Sequence, residues 1–599
     1  MGDNITSNPA LAERLRALGQ TEFADVENFL ADWSHWECGA LLIEACRCLD
    51  YVHIMQILAQ PPGDHLTAPD FDIIRRGWNV LLGLLLPRVG QLNGIPATPS
   101  NEDSQRMAIS VMHALGRHVI LTDTAERLGC GLIVGEEDAD EIRLACADVT
   151  LIDFYHDQVD HGRLADLRES FLPREEPGAK EAVRALRADM SARTFRWELP
   201  SGVMVGYETT PEIDRQFSEI FWTSALDWRN HAGIHPEARL PGCTGGDLMA
   251  TVTVMMSFYL KHIIFVEEAR KRFPDVNHHM SLTIWKTRQE LVESLIAVGS
   301  PEDIANAVID LVTVGSEDAA FFLNERTPSI PLLIQIADGY LLTPASAVFQ
   351  NPFNQIRTLR ETTSPEMQNA VRLHRESWMA EDLCALFEGT RYQRVSRQTK
   401  LRSGGRIVTD IDAAIFDQVT GELVLLQLKW QDFTSSNIRT QKSKASNFAK
   451  GVEDWGRKVT TWLDDHGVAT LCRALQIKMP AGRTPTVVRL WGIGRSNARF
   501  KSLGYAADST VLVLTWPQLI RLRHQIGPGA DIFAEIATRA EAEALQPIER
   551  IPFSYVMPLR DARIVFKDIW SNFGEIPTTS SAEADDANPP TASQYYPNP

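Results

Sequence analysis

Two aspartates and a lysine interrupt an otherwise apolar stretch, TDIDAAIFDQVTGELVLLQLKW, from Thr409 to Trp430. Side chains alternate along a strand. Asp410 and Asp412 therefore share one face, and Ile411, Ala413 and Ile415 take the other. In the run that follows, Gln427 and Lys429 share a face opposite Leu426 and Leu428. DQVTGE supplies the turn between the two runs, with Gly421 as its flexible position. If Asp417 pairs with Glu422, Asp412 stands opposite Gln427 and Asp410 opposite Lys429. Two carboxylates, an amide oxygen and an ammonium then meet on one sheet face. Carboxylates take a hard divalent cation, Mg2+ by preference, with Mn2+ as the alternative. Gln427 would add a neutral ligand, and the backbone carbonyl of Leu428 could complete the set. A metal there would lower the pKa of a bound water and neutralise charge growing on a phosphate. Lys429 would orient that water or neutralise the pentavalent phosphate. The bland alternative is a solvated strand face, with Lys429 as a salt-bridge partner.

The flanking elements are what must hold these residues in place. TSPEMQNAVRLHRESWMAEDLCALFEG reads as one helix, capped by Thr363 or Ser364, with Pro365 in its first turn and Gly389 ending it. RYQRVSRQTKL, GRIVTDIDAAIF and ELVLLQLKW follow as strands. In NFAKGVEDWGRKVTTWL, residues Phe448, Val452, Trp455, Val459 and Trp462 recur at steps of 4, 3, 4 and 3, an amphipathic helix. TPTVVRLWGI and STVLVLTW are further strands. Residues 363–540 therefore read as an α/β unit with a mixed central sheet.

In this order the elements resemble the PD-(D/E)XK nuclease superfamily over roughly residues 365–520, in the Gln-x-Lys form of its Mrr-like restriction-endonuclease branch. Asp412 matches the motif aspartate. Gln427, Leu428 and Lys429 match the terminal triplet, and Asp410 the extra acid two residues before the aspartate. Gln427 departs from the acid of the plain motif and leaves one fewer negative ligand. The resemblance implies a glutamate on the preceding helix, and both Glu376 and Glu381 are placed for it. Glu381 is favoured because it stands eight residues before Gly389, on a helix that Leu383 and Leu386 can anchor. It further implies a restriction-endonuclease-like fold and a Mg2+-dependent DNA endonuclease that hydrolyses phosphodiester bonds, in restriction or anti-phage defence. Asp412, Gln427, Lys429 and Glu381 would then be catalytic, and Asp412, Asp410 and Gln427 would hold the metal. A degenerate fold that binds nucleic acid or acts as a scaffold without catalysis is the alternative. An RNA-directed or repair nuclease is a third.

Charge is distributed unevenly. The whole chain carries a formal −19, yet Arg391 to Lys458 holds 13 Lys or Arg against 7 Asp or Glu, formally +6. Arg391, Arg394 and Arg397 around the first strand are candidates for phosphate contacts. So are Lys442, Lys444, Lys450, Arg457 and Lys458 around the following helix.

The chain has 599 residues, long for one core. Residues 1–165 and 177–355 read as two largely α-helical regions, with apolar residues at three and four spacing. The proline- and glycine-containing FLPREEPGAKE, residues 171–181, marks the break, and the gap between the two regions is set at 166–176. A C-terminal extension, 541–575, and a polar, proline-rich tail, 576–599, expected to be disordered, complete the chain. The helical regions are expected to serve as sensor, target-recognition part or oligomerisation platform, with a homo-oligomer or a defence-system protein as partner. MMSFYLKHIIFVEEA is broken by Lys261 and His262, and no membrane segment is expected. Eight unpatterned cysteines and a start without a signal sequence suit the cytoplasm. His156, His161, Asp153 and Asp160 in LIDFYHDQVDHG do not share a helical face and are not taken as a metal set.

Overall fold

The structure is a computed structural model. It describes residues 8–58, 68–147 and 179–567, with Asp160 and Leu164, except 91, 97, 139, 200–201, 431–437, 480–484, 501–504, 506–509, 528, 530 and 545–553. The break at 166–176, the tail 576–599, and His156, His161 and Asp153 lie outside the described residues.

The first two regions are mainly helical and share one core. A single buried cluster runs from Val26 to Val371. At its centre lies the helix Gly245–Arg272, which includes the apolar MMSFYLKHII stretch. Among the described residues this is the one helix long and apolar enough to cross a membrane, and its apolar window is largely buried in protein. Its polar interruptions are partnered. Lys261 pairs with Asp214, and His262 Nε2 lies 2.7 Å from the Ser281 carbonyl.

Short strands punctuate these helices. Thr194–Leu199 and Gly202–Tyr207 form a hairpin. Ile284–Thr287, Tyr340–Thr343, Leu333–Ala337 and Thr313–Val314 form a four-stranded sheet in that spatial order. A second four-stranded sheet joins the two ends of the chain. Its order is Ile133–Asp138, Glu141–Cys146, Arg563–Lys567 and Ser554–Pro558, and Arg563–Lys567 runs parallel to Glu141–Cys146. The C-terminal extension is thus built into the N-terminal body.

Residues 365–544 form a three-layer α/β/α unit. Its mixed sheet has the order Tyr392–Val395, Ala413–Asp417, Glu422–Lys429, Val487–Gly494 and Val511–Thr515. The first three strands are antiparallel and the last three parallel. One face packs on Pro365–Leu386, Trp516–Gln525 and Ile532–Ala544 through Met379, Leu383, Val424, Leu426, Leu519 and Phe533. The other packs on Ile438–His466 and Val468–Leu475 through Leu423, Leu425, Phe448, Val452, Trp455 and Leu471. All five apolar positions at the 4-3-4-3 spacing are buried on the first of these two helices. Ser364, not Thr363, caps the first helix, accepting from the Met367 N–H at 3.2 Å.

The sequence suggests one continuous strand through GRIVTDIDAAIF. The structure divides it at Asp412, where the chain bends. Arg406–Ile411 pairs with Thr399–Ser403 in a separate ribbon, and Ala413–Asp417 enters the main sheet. The bend moves Asp410 out of the ladder that would have set it opposite Lys429. Its partner across the ribbon is Lys400.

Close backbone approach fixes the N-terminal helices. A Cβ on Gly116 would lie 1.9 Å from the Ile73 carbonyl, and one on Gly77 would lie 1.7 Å from that of Met112. Gly116→Ala is expected to force the helices Ala68–Val89 and Glu102–Gly129 apart and cost about 1–3 kcal/mol. Gly451, mid-helix, has open space among the described residues. Gly451→Ala is expected to raise stability by roughly 0.5–1 kcal/mol. Urea unfolding of both variants against wild type checks the contrast.

Candidate active site

The hairpin Ala413–Asp417 to Glu422–Lys429 brings the site together. Ala413 pairs with Leu426 and Phe416 with Leu423, the register that sets Asp412 opposite Gln427. Gly421 sits in the turn at φ +77, in the left-handed region. Apolar packing sets the facing of Gln427 and Lys429. Leu426 and Leu428 are buried against the Pro365–Leu386 side, so Gln427 and Lys429 project to the Ile438–His466 side.

Asp412 is 5% exposed and held by its neighbours. Its backbone N–H donates to the Leu426 carbonyl at 3.1 Å. Its Oδ2 accepts from the Leu428 N–H at 2.8 Å and from the side-chain amide of Gln427. Burial is the largest influence on its carboxyl and pushes the pKa up to about 6. The Leu428 N–H lowers it, Glu376 raises it, Lys429 lowers it and Asp410 raises it. An acid at position 427 would add a like charge. The neutral amide instead donates to Asp412 and orients it.

Asp410 stands beside this carboxylate but is held elsewhere. Its Oδ2 accepts from Gln398 Nε2 at 2.6 Å, and its carbonyl accepts from the Trp455 indole N–H at 2.7 Å. Sequence reasoning assigned Trp455 to the core and did not select Gln398. The apolar period signals the tryptophan's burial but not its indole bond, and nothing in the local sequence marks the glutamine.

Of the two candidate glutamates, Glu376 is the one whose charge acts on the Asp412 carboxyl. Glu381 bears instead on His235, Asp382 and Cys384. Five residues turn a helix by about 140°, so the two cannot face one point. Val371, Arg375, Met379, Ala380 and Leu383 are buried and set the rotation.

The basic residues divide into two groups. Arg391 forms a salt bridge at 2.6 Å to the fully buried Asp417, at the turn end of the hairpin. Five strand residues, roughly 17 Å, separate that end from Asp412. Arg394 stands opposite Ile415, on the sheet face away from Gln427, and donates to the Cys384 carbonyl at 3.3 Å. Arg457 and Lys458 both pair with Asp454. Arg397 and Lys450 are exposed, and Lys442 and Lys444 are half-buried early in the helix Ile438–His466. Of the LIDFYHDQVDHG residues, Asp160 is buried against Arg499 at 2.7 Å and Thr515 at 3.0 Å, a structural tie between the two bodies.

Among the described residues, no three His, Cys, Asp or Glu side chains converge as a metal-ligating group. Gln427 meets the Asp412 carboxylate through its amide nitrogen; with that amide turned over, its carbonyl and the carboxylate would be hard oxygens of the kind Mg2+ takes. Asp410 would join them by exchanging its bond to Gln398. No family model matches the chain, and no curated protein or solved structure matches it.

The raised pKa of Asp412 predicts a pH dependence. The unfolded carboxyl titrates near 3.9, by the usual value of about 3.9 for Asp, and the folded one at about 6. The folded state therefore holds the extra proton between these values. Stability falls as pH rises from about 4 to 6, and the loss persists above that window. Asp412→Asn is expected to be more stable than wild type at pH 7.5 by on the order of 2 kcal/mol, and to lose this part of the pH dependence. Saturating Mg2+ is expected to raise the unfolding midpoint of wild type and not of Asp412→Asn. Urea titrations across pH, with and without the ion, measure both.

Proposed function

We propose that residues 363–540 form a Mg2+-dependent DNA endonuclease domain of the PD-(D/E)XK kind, working in restriction or anti-phage defence in the cytoplasm. The observation that carries this reading is the environment of Asp412. A buried carboxylate with a raised pKa, oriented by an amide and a backbone N–H, stands between Glu376 and Lys429 at one end of a sheet. Perturbed carboxylates cluster at functional sites, where burial and neighbouring charges tune them.

Asp412, Asp410 and Gln427 would hold the ion. When bound it would supply charge neutralisation at phosphorus and a more acidic water. Lys429 would present positive charge to the pentavalent phosphate. Attack of water on phosphorus forms one P–O bond and breaks the ester bond to the leaving oxygen. Glu376, in the place first given to Glu381, would orient the water or a second ion. Arg397, Lys442, Lys444 and Lys450 are the residues proposed for backbone phosphates. The helical N-terminal body would serve as sensor, recognition part or assembly platform.

A second reading is a nucleic-acid-binding or scaffold protein without catalysis. The Asp410–Gln398 bond and the amide at 427 favour it, because they leave a single carboxylate committed to the site.

Cleavage of plasmid and linear DNA in the presence of Mg2+ separates the two. Asp412→Ala and Lys429→Ala are expected to lose activity by about 100-fold or more while keeping fold and DNA binding. Glu376→Gln is expected to lose at least about tenfold, and Glu381→Gln to retain activity. Full cleavage by both Asp412→Ala and Lys429→Ala would overturn the site. DNA binding by wild type with no cleavage would select the second reading.

A further inference from the structure

Two residues that border the candidate site are clamped to the N-terminal body. Arg375 directly precedes Glu376, and Trp430 directly follows Lys429. Arg375 is 6% exposed, and its guanidinium lies 5.7 Å from the centre of the Trp430 ring. Arg495 approaches the same ring at 4.8 Å and the Trp516 ring at 5.1 Å. Its backbone N–H donates to the Lys429 carbonyl at 3.0 Å. Trp378 stacks beside Trp430, with ring centres 6.0 Å apart. Two arginines and Trp378 thus gather around Trp430, and Trp516 backs Arg495.

This group rests on the end of one helix, Pro211–Ala232. Arg375 donates to the Ala232 and Gly233 carbonyls, each at 3.4 Å, and to Glu361 at 3.2 Å. A cation at the carbonyl end of a helix is favoured by the exposed carbonyl dipoles. Arg229, in the last turn, lies 5.5 Å from the Trp378 ring. Gly233 closes the helix at φ +71. A Cβ there would lie 2.6 Å from Trp430 and 2.8 Å from Arg375. The fit leaves no room for a side chain. One flank of the group is not packed solid. Arg495 and Trp516 border a cavity of about 360 Å³, together with His231 and Leu164 of the N-terminal body and Asp382. A displacement of the helix end can therefore carry the stack with it.

We infer that the C-terminal end of the helix Pro211–Ala232 sets the geometry of the candidate site through this stack. Arg375, Trp430 and Arg495 are positioning residues for Glu376 and Lys429. The inference rests on the nuclease reading for its effect on rate, but not for its effect on structure.

Gly233→Ala, Trp430→Ala and Trp430→Phe in the full chain test it, with folding monitored by circular dichroism. Neither position contacts substrate in this reading. Gly233→Ala and Trp430→Ala are expected to lower kcat for DNA cleavage by about tenfold or more, with KM within about threefold of wild type. Trp430→Phe keeps a ring and is expected to keep most of the rate. Hydrogen-exchange mass spectrometry supplies a readout independent of activity. Exchange is expected to rise over 365–386 and 422–429 in Gly233→Ala and Trp430→Ala. Unchanged exchange in both segments would overturn the inference, whether or not the chain cleaves DNA. An equal fall in rate caused by KM alone would overturn it as well. Raised exchange in a chain whose wild type never cleaves DNA would uphold the structural coupling and overturn the nuclease reading alone.

Discussion

The bonds to the Asp412 carboxylate are the constraint on which the site depends. A buried charge is costly unless its oxygens are satisfied. Here one oxygen takes both the Leu428 N–H and the Gln427 amide. Both donors sit on the neighbouring strand, so the site exists only when the hairpin register is correct. A slip of one residue would turn Gln427 and Lys429 toward the Pro365–Leu386 layer and Leu426 and Leu428 toward the Ile438–His466 layer. The core enforces the register that the carboxylate needs.

That core has two faces, and each contributes differently. The Pro365–Leu386 side carries Glu376, and the buried Met379, Ala380 and Leu383 of the same helix fix its phase. The Ile438–His466 side supplies Val452 and Trp455. A Cβ on Gly492, the register partner of Gln427, would lie 2.8 Å from Val452, so the helix lies close over the sheet there. Trp455 caps the Asp410 carbonyl just before the bend. The bend at Asp412 then lets one strand serve two sheets, which places Asp410 beside its fellow aspartate without sharing its partners.

Electrostatics takes a similar turn. The excess of positive charge between Arg391 and Lys458 is a property of composition, and composition does not say which charges are spent within the fold. Arg391 is bound to Asp417, and Arg457 and Lys458 to Asp454. Exposed pairs of the latter kind add little stability. They do, however, reduce the field that those cations present to a phosphate. Arg397, Lys442 and Lys450 carry more of the argument for a nucleic-acid surface than the count alone suggested.

Local pattern made much of this unit readable. Strand alternation and the DQVTGE turn determined that Asp412 faces Gln427, because a period of two and a tight turn leave one sensible register. The 4-3-4-3 spacing determined the buried face of the helix Ile438–His466, and Ser364 and Pro365 marked the start of the helix before the sheet. Other features depended on contacts remote in sequence. The choice of Glu376 over Glu381 follows from helix rotation, which is set by what the helix packs against. The pairing of Asp410 with Gln398 follows from a bend that local alternation does not reveal. The short strands of the N-terminal body escaped a helical reading because two to six residues carry too little periodicity to register. The joining of the C-terminal extension to Glu141–Cys146 spans the whole chain. The clamp of Arg375 and Trp430 on Gly233 is likewise a meeting of distant segments. Side-chain period and turn chemistry are local and were legible in the sequence. Helix phase, strand exchange and domain contact are settled by packing between remote residues, and only the tertiary structure decided them.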